Sequence, residues 1–221
     1  MIPLLRQIRY KAKQLVSQPG ISPATDIQYA IRSGYQHRAA NGTFDATGAT
    51  EDWQKEVYAL AAEEAHRSGA NTVFDVGCGS GFKLCQHFSG FHTVGFEIGP
   101  TVQYLRMNHP ARDWRESDFT ATIDEPADIV ICADVVEHIP DPDLLMGFLS
   151  RLRFGKLFLS TPERWLTYGF DHGGPPANAA HCREWTMTEF ASYVSQWFNV
   201  EQHLISNRQQ ATQLVIATAK G

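Results

Sequence analysis

Apolar and polar positions along this 221-residue chain follow two periods, one of strands and one of helices, and they alternate. An apolar, β-branched run opens at Thr72-Val73-Phe74, passes Asp75-Val76 and breaks into Gly77-Cys78-Gly79-Ser80-Gly81. It reads as a strand feeding a glycine-rich turn, with a helix beginning near Ser80. His92 to Phe96 gives a second strand ending at Glu97, a helix runs from Pro100 until Pro110 stops it, and Asp113 to Glu116 gives a short third strand. Ala127 to Ala133 is almost wholly apolar, as a central strand buried on both faces would be. A helix beginning near Asp141 leads into another strand, Lys156 to Ser160. Strands alternating with helices specify an α/β protein with a doubly wound sheet. Thr186 and Glu189 form a capping box for a helix through Trp197, and the alternating segments Val200 to Ser206 and Thr212 to Thr218 complete the sheet.

Flanking segments add an N-terminal cap and a lid. Glu51 to Ser68 places Trp53, Val57, Leu60, Ala61 and Ala65 on one face of a helix that Gly69 ends. Residues 1–20 hold Arg6, Arg9, Lys11 and Lys13 with no acidic residue, and Ile2, Leu5, Ile8, Leu15 and Val16 recur at helical spacing. Such a basic amphipathic helix packs on the domain or a second subunit, or rests on an anionic membrane surface. Residues 21–50 read as an irregular cap, whose Tyr35, His37 and Arg38 either touch a ligand or lie along a surface connector. The chain thus divides into a basic helix and cap at 1–50 and an α/β domain at 51–221. The long segment from Pro162 to His181, rich in aromatic residues and carrying a Gly-Gly-Pro-Pro run at 173–176, reads as a lid or substrate wall.

Composition narrows the partners. A net charge of −5 argues against a broad nucleic-acid footprint, which needs clustered Lys and Arg. Cys78, Cys85, Cys132 and Cys182 show no Cys-x-x-Cys spacing, which points away from a zinc cluster or disulfide framework and towards a reducing compartment. No apolar run reaches the roughly 18 residues of a membrane span, and the first residues lack a secretory pattern, so the expected location is the cytoplasm.

The chemistry concentrates at strand ends. A dinucleotide fingerprint needs Gly-x-Gly-x-x-Gly, whereas here Gly77, Gly79 and Gly81 are followed by the bulky Phe82, which disfavours a pyrophosphate site. Glu97 lies 20 positions past Gly77, where the two oxygens of a carboxylate match the vicinal diol of a ribose. Asp134 and Val135 open the stretch Asp134-Val135-Val136-Glu137-His138 at the carboxyl end of the fourth strand, beside the first, where ligands bind in such sheets. His138, with an ordinary pKa of about 6.5, is a candidate general base there.

The pattern Asp75-x-Gly77-x-Gly79-x-Gly81 resembles the first motif of the class I S-adenosylmethionine-dependent methyltransferases, and the later motifs follow in that family's order over residues 70 to 220. The resemblance implies a Rossmann-like sheet of seven strands with an antiparallel terminal hairpin strand, S-adenosyl-L-methionine as cofactor, and methyl transfer. It implies that Asp75 and the loop backbone at Gly77, Cys78, Gly79 and Gly81 hold the aminocarboxypropyl end. By the same likeness Glu97 meets the ribose, Ile98 next to it also binds the cofactor, Asp118 and Phe119 meet the adenine, and Asp134 and Val135 line the crevice.

Two further stretches, Asp134-x-x-Glu137-His138 and His181-x-x-Glu184-Trp185-Thr186, resemble the metal-dependent small-RNA 2′-O-methyltransferases, with Asp134 standing where they have Glu. This likeness implies Glu137, His138 and His181 as ligands of a divalent metal that grips the acceptor diol. In metal-free relatives of similar pattern, His138 or His181 would act as a base instead. The wider pattern looks like bacterial methyltransferases that modify sugars or other natural products. It implies O-methylation of a small-molecule or glycan hydroxyl, with metal-dependent RNA 2′-O-methylation and a non-catalytic cofactor-binding subunit as alternatives.

Overall fold

The computed structural model describes residues 28–39 and 53–221. The basic helix expected at 1–20, and the cap at 21–27 and 40–50, lie outside those residues. Seven strands form one sheet: β1 (Thr72–Val76), β2 (His92–Glu97), β3 (Asp113–Glu116), β4 (Pro126–Ala133), β5 (Arg153–Pro162), β6 (Phe198–Asn207) and β7 (Thr212–Ala219). Their order is β3-β2-β1-β4-β5-β7-β6, parallel from β3 to β5, with β7 antiparallel to both its neighbours. This is the seven-stranded Rossmann-like sheet with a terminal antiparallel hairpin. The strand order reverses between β1 and β4, which opens a crevice at their carboxyl ends.

Helices cover both faces, which is why the central strands are apolar without interruption. On one face Phe74, Val76, Phe96 and Val130 pack with α4 (Pro142–Arg151) and α6 (Met187–Trp197) through Leu145, Leu149, Phe190 and Val194. On the other, Val73, Ile129 and Ile131 meet α1 (Lys55–Ser68), α2 (Phe82–His87) and α3 (Gly99–Asn108) through Val57, Ala61, Leu84 and Leu105. Alternation within β1 therefore sends Asp75 to the α1 side. Caps set the helix ends: Asp141 accepts the Asp143 N–H at the start of α4, and Thr186 and Glu189 bond each other's backbone N–H at the start of α6.

The elements differ from the sequence reading at a few ends. The helix expected near Ser80 begins at Phe82, because Gly81 is held left-handed at φ +69° and cannot start a right-handed turn. The helix expected from Glu51 begins at Lys55, after the left-handed Gln54. The long segment after β5 is not wholly loop: it contains α5 (Arg164–Tyr168), capped by Glu163, whose carboxylate accepts the Leu166 N–H.

Gly77 shows why the turn after β1 needs glycine. Its φ is +77°, and a Cβ there would lie 2.4 Å from Cγ2 of Val135, so loop and β4 end are in backbone-to-side-chain contact. Replacing Gly77 by Ala is expected to cost roughly 2–4 kcal/mol, combining the left-handed penalty with overpacking. Adding Val135→Ala should return only the overpacking part. Urea unfolding of the two variants checks this, and a Gly77→Ala protein as stable as the parent would contradict it.

Candidate active site

The glycine turn and the end of β2 are tied together by backbone and carboxylate. Gly77 N–H and Cys78 N–H both donate to the Phe96 carbonyl, at 2.9 and 3.3 Å. Glu97 accepts from the Gly79 N–H at 3.2 Å and from the Ile98 N–H at 2.7 Å. Burial pushes the Glu97 carboxyl up from its ordinary value, opposed by those two bonds. Ile98 is exposed beside it and offers an apolar surface to a ligand. Glu97 and the loop thus stand together at one crevice, as the sequence spacing expects.

Beneath the loop, Asp75 has no exposed surface. One carboxyl oxygen accepts the Tyr58 hydroxyl at 3.0 Å, and the other, Oδ1, has no hydrogen-bond partner. Burial pushes its pKa up to about 7, partly offset by the Tyr58 hydrogen bond and the nearby Lys83. Lys83 is itself buried, its ammonium 5.6 Å from the Tyr58 ring centroid.

On the far side of β2, Asp118 and Phe119 follow β3. Asp118 is exposed, and its carboxylate accepts both the hydroxyl and the N–H of Thr120, which hold its pKa below the usual carboxylate range. Phe119 has φ +67° and packs against the core, its ring 5.8 Å from that of Phe148. The Arg151 guanidinium donates to its carbonyl at 2.8 Å and fixes this turn.

The end of β4 carries the remaining candidates. Asp134 has φ +52°, and its carboxylate accepts the Ser160 hydroxyl at 2.6 Å. Two residues on, a single 3-10 turn (Val136–His138) aims Glu137 inward. Glu137 has no exposed surface; Oε2 accepts the Thr161 hydroxyl at 3.0 Å, while Oε1 has no hydrogen-bond partner. Burial, reinforced by Asp134, pushes its pKa well above the ordinary range.

His138 and His181 meet edge to face, ring centroids 4.7 Å apart. Their partners decide where each proton sits. His138 Nδ1 lies 2.9 Å from the Ala180 carbonyl, which only accepts, so Nδ1 carries the hydrogen and Nε2 the lone pair. His181 Nδ1 lies 2.5 Å from the Glu184 carboxylate. Its Nε2 lies 2.9 Å from Nδ2 of Asn178, whose Oδ1 is taken by the Ala180 N–H, so the Asn178 amide donates and Nε2 is again the acceptor. Burial first, and then His181, push the His138 pKa down to about 4. Among the described residues, Glu137, His138 and His181 each offer a ligand atom, and these lie within 4.8 Å of one another.

The segment bearing His181 is held to β4 from behind. Cys182 N–H donates to the Glu137 carbonyl at 2.7 Å, and the Arg183 guanidinium donates to the carbonyls of Ile139 and Pro140. Arg164 and Glu189 form a buried ion pair at 2.8 Å beneath it. Tyr35 and Arg38, two of the cap residues open to a ligand role, serve here as braces. The Tyr35 hydroxyl accepts the Glu184 N–H, and the Arg38 guanidinium donates to the carbonyls of Asn178 and His181.

Three residues outside the sequence-derived candidates belong to this site. Glu184 and Asn178 orient His181, and Lys83 shares the Asp75 pocket. His181-x-x-Glu184 has the i, i+3 spacing of a local pair and could have been read as one. Asn178 and Lys83 carry no comparable signal.

Comparison with known proteins places the arrangement. A family profile described as "Methyltransferase domain" matches residues 44–211. A ubiquinone biosynthesis O-methyltransferase of Brucella anthropi is 28% identical over 161 residues, covering 67% of this chain and 58% of that protein. One of the same name from Klebsiella pneumoniae is 30% identical over 115 residues, covering 45% and 47%. The chain therefore spans about half the length of these relatives. Among solved structures, the methyltransferase domain of bacterial CtHen1 superposes with a TM-score of 0.60 at 18% identity, covering 76% of this chain and 99% of that one. The N-methyltransferase NodS of Bradyrhizobium japonicum, in complex with S-adenosyl-L-homocysteine, gives 0.59 at 10% identity, covering 80% and 95%. These structural likenesses establish the fold.

Asp75 makes stability depend on pH. Its folded pKa of about 7 lies above the ordinary carboxylate value of about 3.9, so the folded chain keeps a proton that the unfolded chain has released. The stability this group contributes is full below pH 4 and is lost as the pH rises to 7, by roughly 2–4 kcal/mol. Asp75→Asn should flatten that part of the profile and leave the ligand-free variant more stable than the parent at pH 8. Urea unfolding at intervals from pH 4 to 8 measures it; parallel profiles would contradict the assignment.

Proposed function

The chain belongs to the methyltransferase-domain family of the class I S-adenosylmethionine-dependent methyltransferases, and on that premise we propose that it methylates a hydroxyl oxygen of a small-molecule or glycan acceptor. The observation that carries this reading is the gathering of Glu137, His138 and His181 at the crevice end of β4, where each offers a ligand atom within 4.8 Å of the others. A hydroxyl must lose its proton as its oxygen attacks, and these are the groups that could receive that proton or hold a cation on the oxygen. The names of the curated relatives, O-methyltransferases, agree with an oxygen acceptor. The net charge of −5 supports a small acceptor over a polynucleotide.

When bound, S-adenosylmethionine supplies the electrophilic methyl carbon. The chain's part is to fix the line of approach, and alignment of this kind can supply several kcal/mol. Glu97 offers carboxylate oxygens to the ribose diol, the loop backbone approaches the amino-acid end, and Asp118 and Phe119 stand on the proposed adenine side.

The His pair and Glu137 fit a divalent cation better than a lone general base. Metal-bound imidazoles use one nitrogen and give the other N–H to a carboxylate or carbonyl, and both histidines have that partner in place. Glu137 Oε1 is a buried oxygen without a hydrogen-bond partner, and a cation would satisfy it. A base whose conjugate acid dissociates near 4 is a weak proton acceptor at neutral pH, whereas a ligand must be neutral. Glu137, His138 and His181 would hold the ion, and when bound it supplies Lewis acidity that makes an acceptor hydroxyl easier to ionise. Asp134 stands outside this donor set, with its carboxylate turned to Ser160.

The test is transfer of labelled methyl from S-adenosylmethionine to a panel of sugars, catechols and short RNAs, each with and without a chelator. Transfer to a small diol that the chelator abolishes and added Mn²⁺ restores is expected. His138→Ala and His181→Ala should each lower turnover roughly 100-fold. Full turnover in chelator would remove the cation, an unchanged His138→Ala rate would remove that residue, and transfer confined to RNA would replace the acceptor class.

A further inference from the structure

His181 has a single lone pair to give, and a neighbouring amide takes it. Its Nδ1–H points at the Glu184 carboxylate, so Nε2 carries the only lone pair of the ring, and Nδ2 of Asn178 donates to it at 2.9 Å. Such a lone pair holds a hydrogen or a cation and not both. A cation held by Glu137, His138 and His181 therefore competes with Asn178 for the same nitrogen. The turn at 178–180 treats the two imidazoles differently. Asn178 Oδ1 accepts the Ala180 N–H at 3.0 Å, and the Ala180 carbonyl in turn bonds His138. The contact to His138 uses Nδ1, the nitrogen that a metal-bound imidazole leaves to a carbonyl. The contact to His181 uses Nε2, the nitrogen that a ligand role requires. One turn thus supports one imidazole as a ligand and blocks the other.

The block is confined to a side chain. Backbone around it is tied down: the Tyr168 hydroxyl accepts the Ala177 N–H at 3.0 Å, and the Asn178 carbonyl accepts from the Arg38 guanidinium at 3.0 Å and from the His181 N–H at 3.1 Å. His181 is buried whereas Asn178 is exposed, so the amide can turn out into water with the chain left in place. That rotation gives up two hydrogen bonds, the one to Nε2 and the one from the Ala180 N–H. Water replaces part of what is lost, which makes the cost small enough for a cation to overcome and large enough to weaken its binding measurably.

We propose that Asn178 is a latch on the histidine centre: its amide caps His181 Nε2, and a divalent cation binds by displacing that amide. Asn178 then sets the affinity of the centre without being one of its ligands. This deepens the cation reading of the site and rests on it.

Calorimetric titration of the full chain with Mn²⁺ tests it. Asn178→Ser keeps a side-chain oxygen for the Ala180 N–H but lacks the amide and the length to reach His181. It should bind Mn²⁺ roughly 5- to 30-fold more tightly than the parent, and Asn178→Ala should gain by a similar factor. In the parent, NMR of the Asn178 side-chain NH₂ reads the latch itself, with Zn²⁺ as a diamagnetic probe. Its protons should exchange slowly with water before Zn²⁺ is added and at least about 10-fold faster at saturation. This measurement stands even if a substituted chain fails to fold. An Asn178→Ser affinity equal to the parent's or weaker would overturn the proposal, and so would an amide whose exchange is unchanged in a Zn²⁺-saturated parent. If the parent and both variants take up neither ion, the cation reading itself falls, a result distinct from a parent that binds Mn²⁺ with an affinity Asn178 does not alter.

Discussion

Glu137 is the residue on which the site depends. Its carbonyl accepts the N–H of Cys182, its carboxyl accepts the Thr161 hydroxyl, and its neighbour His138 bonds the Ala180 carbonyl. One turn at the end of β4 is thereby joined to β5 and to the segment that carries His181. A carboxyl with no exposed surface and one unpartnered oxygen is a poor structural choice, since apolar packing would fill the same space at lower cost. The proposed centre would give that oxygen a role, as a ligand atom beside those of His138 and His181.

Around that turn, the fold supplies rigidity by long-range pairs. Arg164 and Glu189 are buried together, and Arg164 also lies 4.4 Å from the centre of the Tyr35 ring. Removing either partner of such a pair typically costs about 3–5 kcal/mol, because the other charge is left buried alone. The segment at 28–39 is therefore part of the site's support. Gln36 N–H donates to Gly173, Tyr35 receives the Glu184 N–H, and Arg38 spans Asn178 and His181. The crevice has two supports of different kinds: a glycine turn whose close approach to Val135 admits no side chain, and the segment before α6, whose position is set by an ion pair and backbone carbonyls.

Most of the fold was legible because a parallel sheet buried on both faces writes its strands as apolar runs. All seven strands, the reversal between β1 and β4, and the Thr186–Glu189 capping box could be read from the order of residues. The ends were less legible. β5 extends to Arg153 because pairing with β4 continues past the apolar run, and α5 sits in a stretch whose aromatic residues mask a short helical turn. The cofactor candidates Glu97, Gly77 and Val135 lie together because they mark strand ends. Side-chain partners were the illegible part. Tyr35 and Arg38 read equally as ligand contacts or as parts of a surface connector, and only the folded chain brings carbonyls and amides from residues 178–184 beside them. Asn178 and Lys83 gain meaning only from contacts that topology creates.

Both imidazoles are held with the hydrogen on Nδ1, and every chemical role assigned to them follows from that. Nitrogen-15 NMR of the histidine side chains at pH 8, where an ordinary imidazole is neutral, reads this directly. The account predicts a protonated Nδ1 and a lone-pair Nε2 for His138 and for His181. His138→Ala and His181→Ala samples assign the two signals. A hydrogen on Nε2 of either residue would turn an Nδ1 lone pair towards the Ala180 carbonyl or the Glu184 carboxylate, and would contradict the hydrogen-bond assignment on which the proposed centre rests.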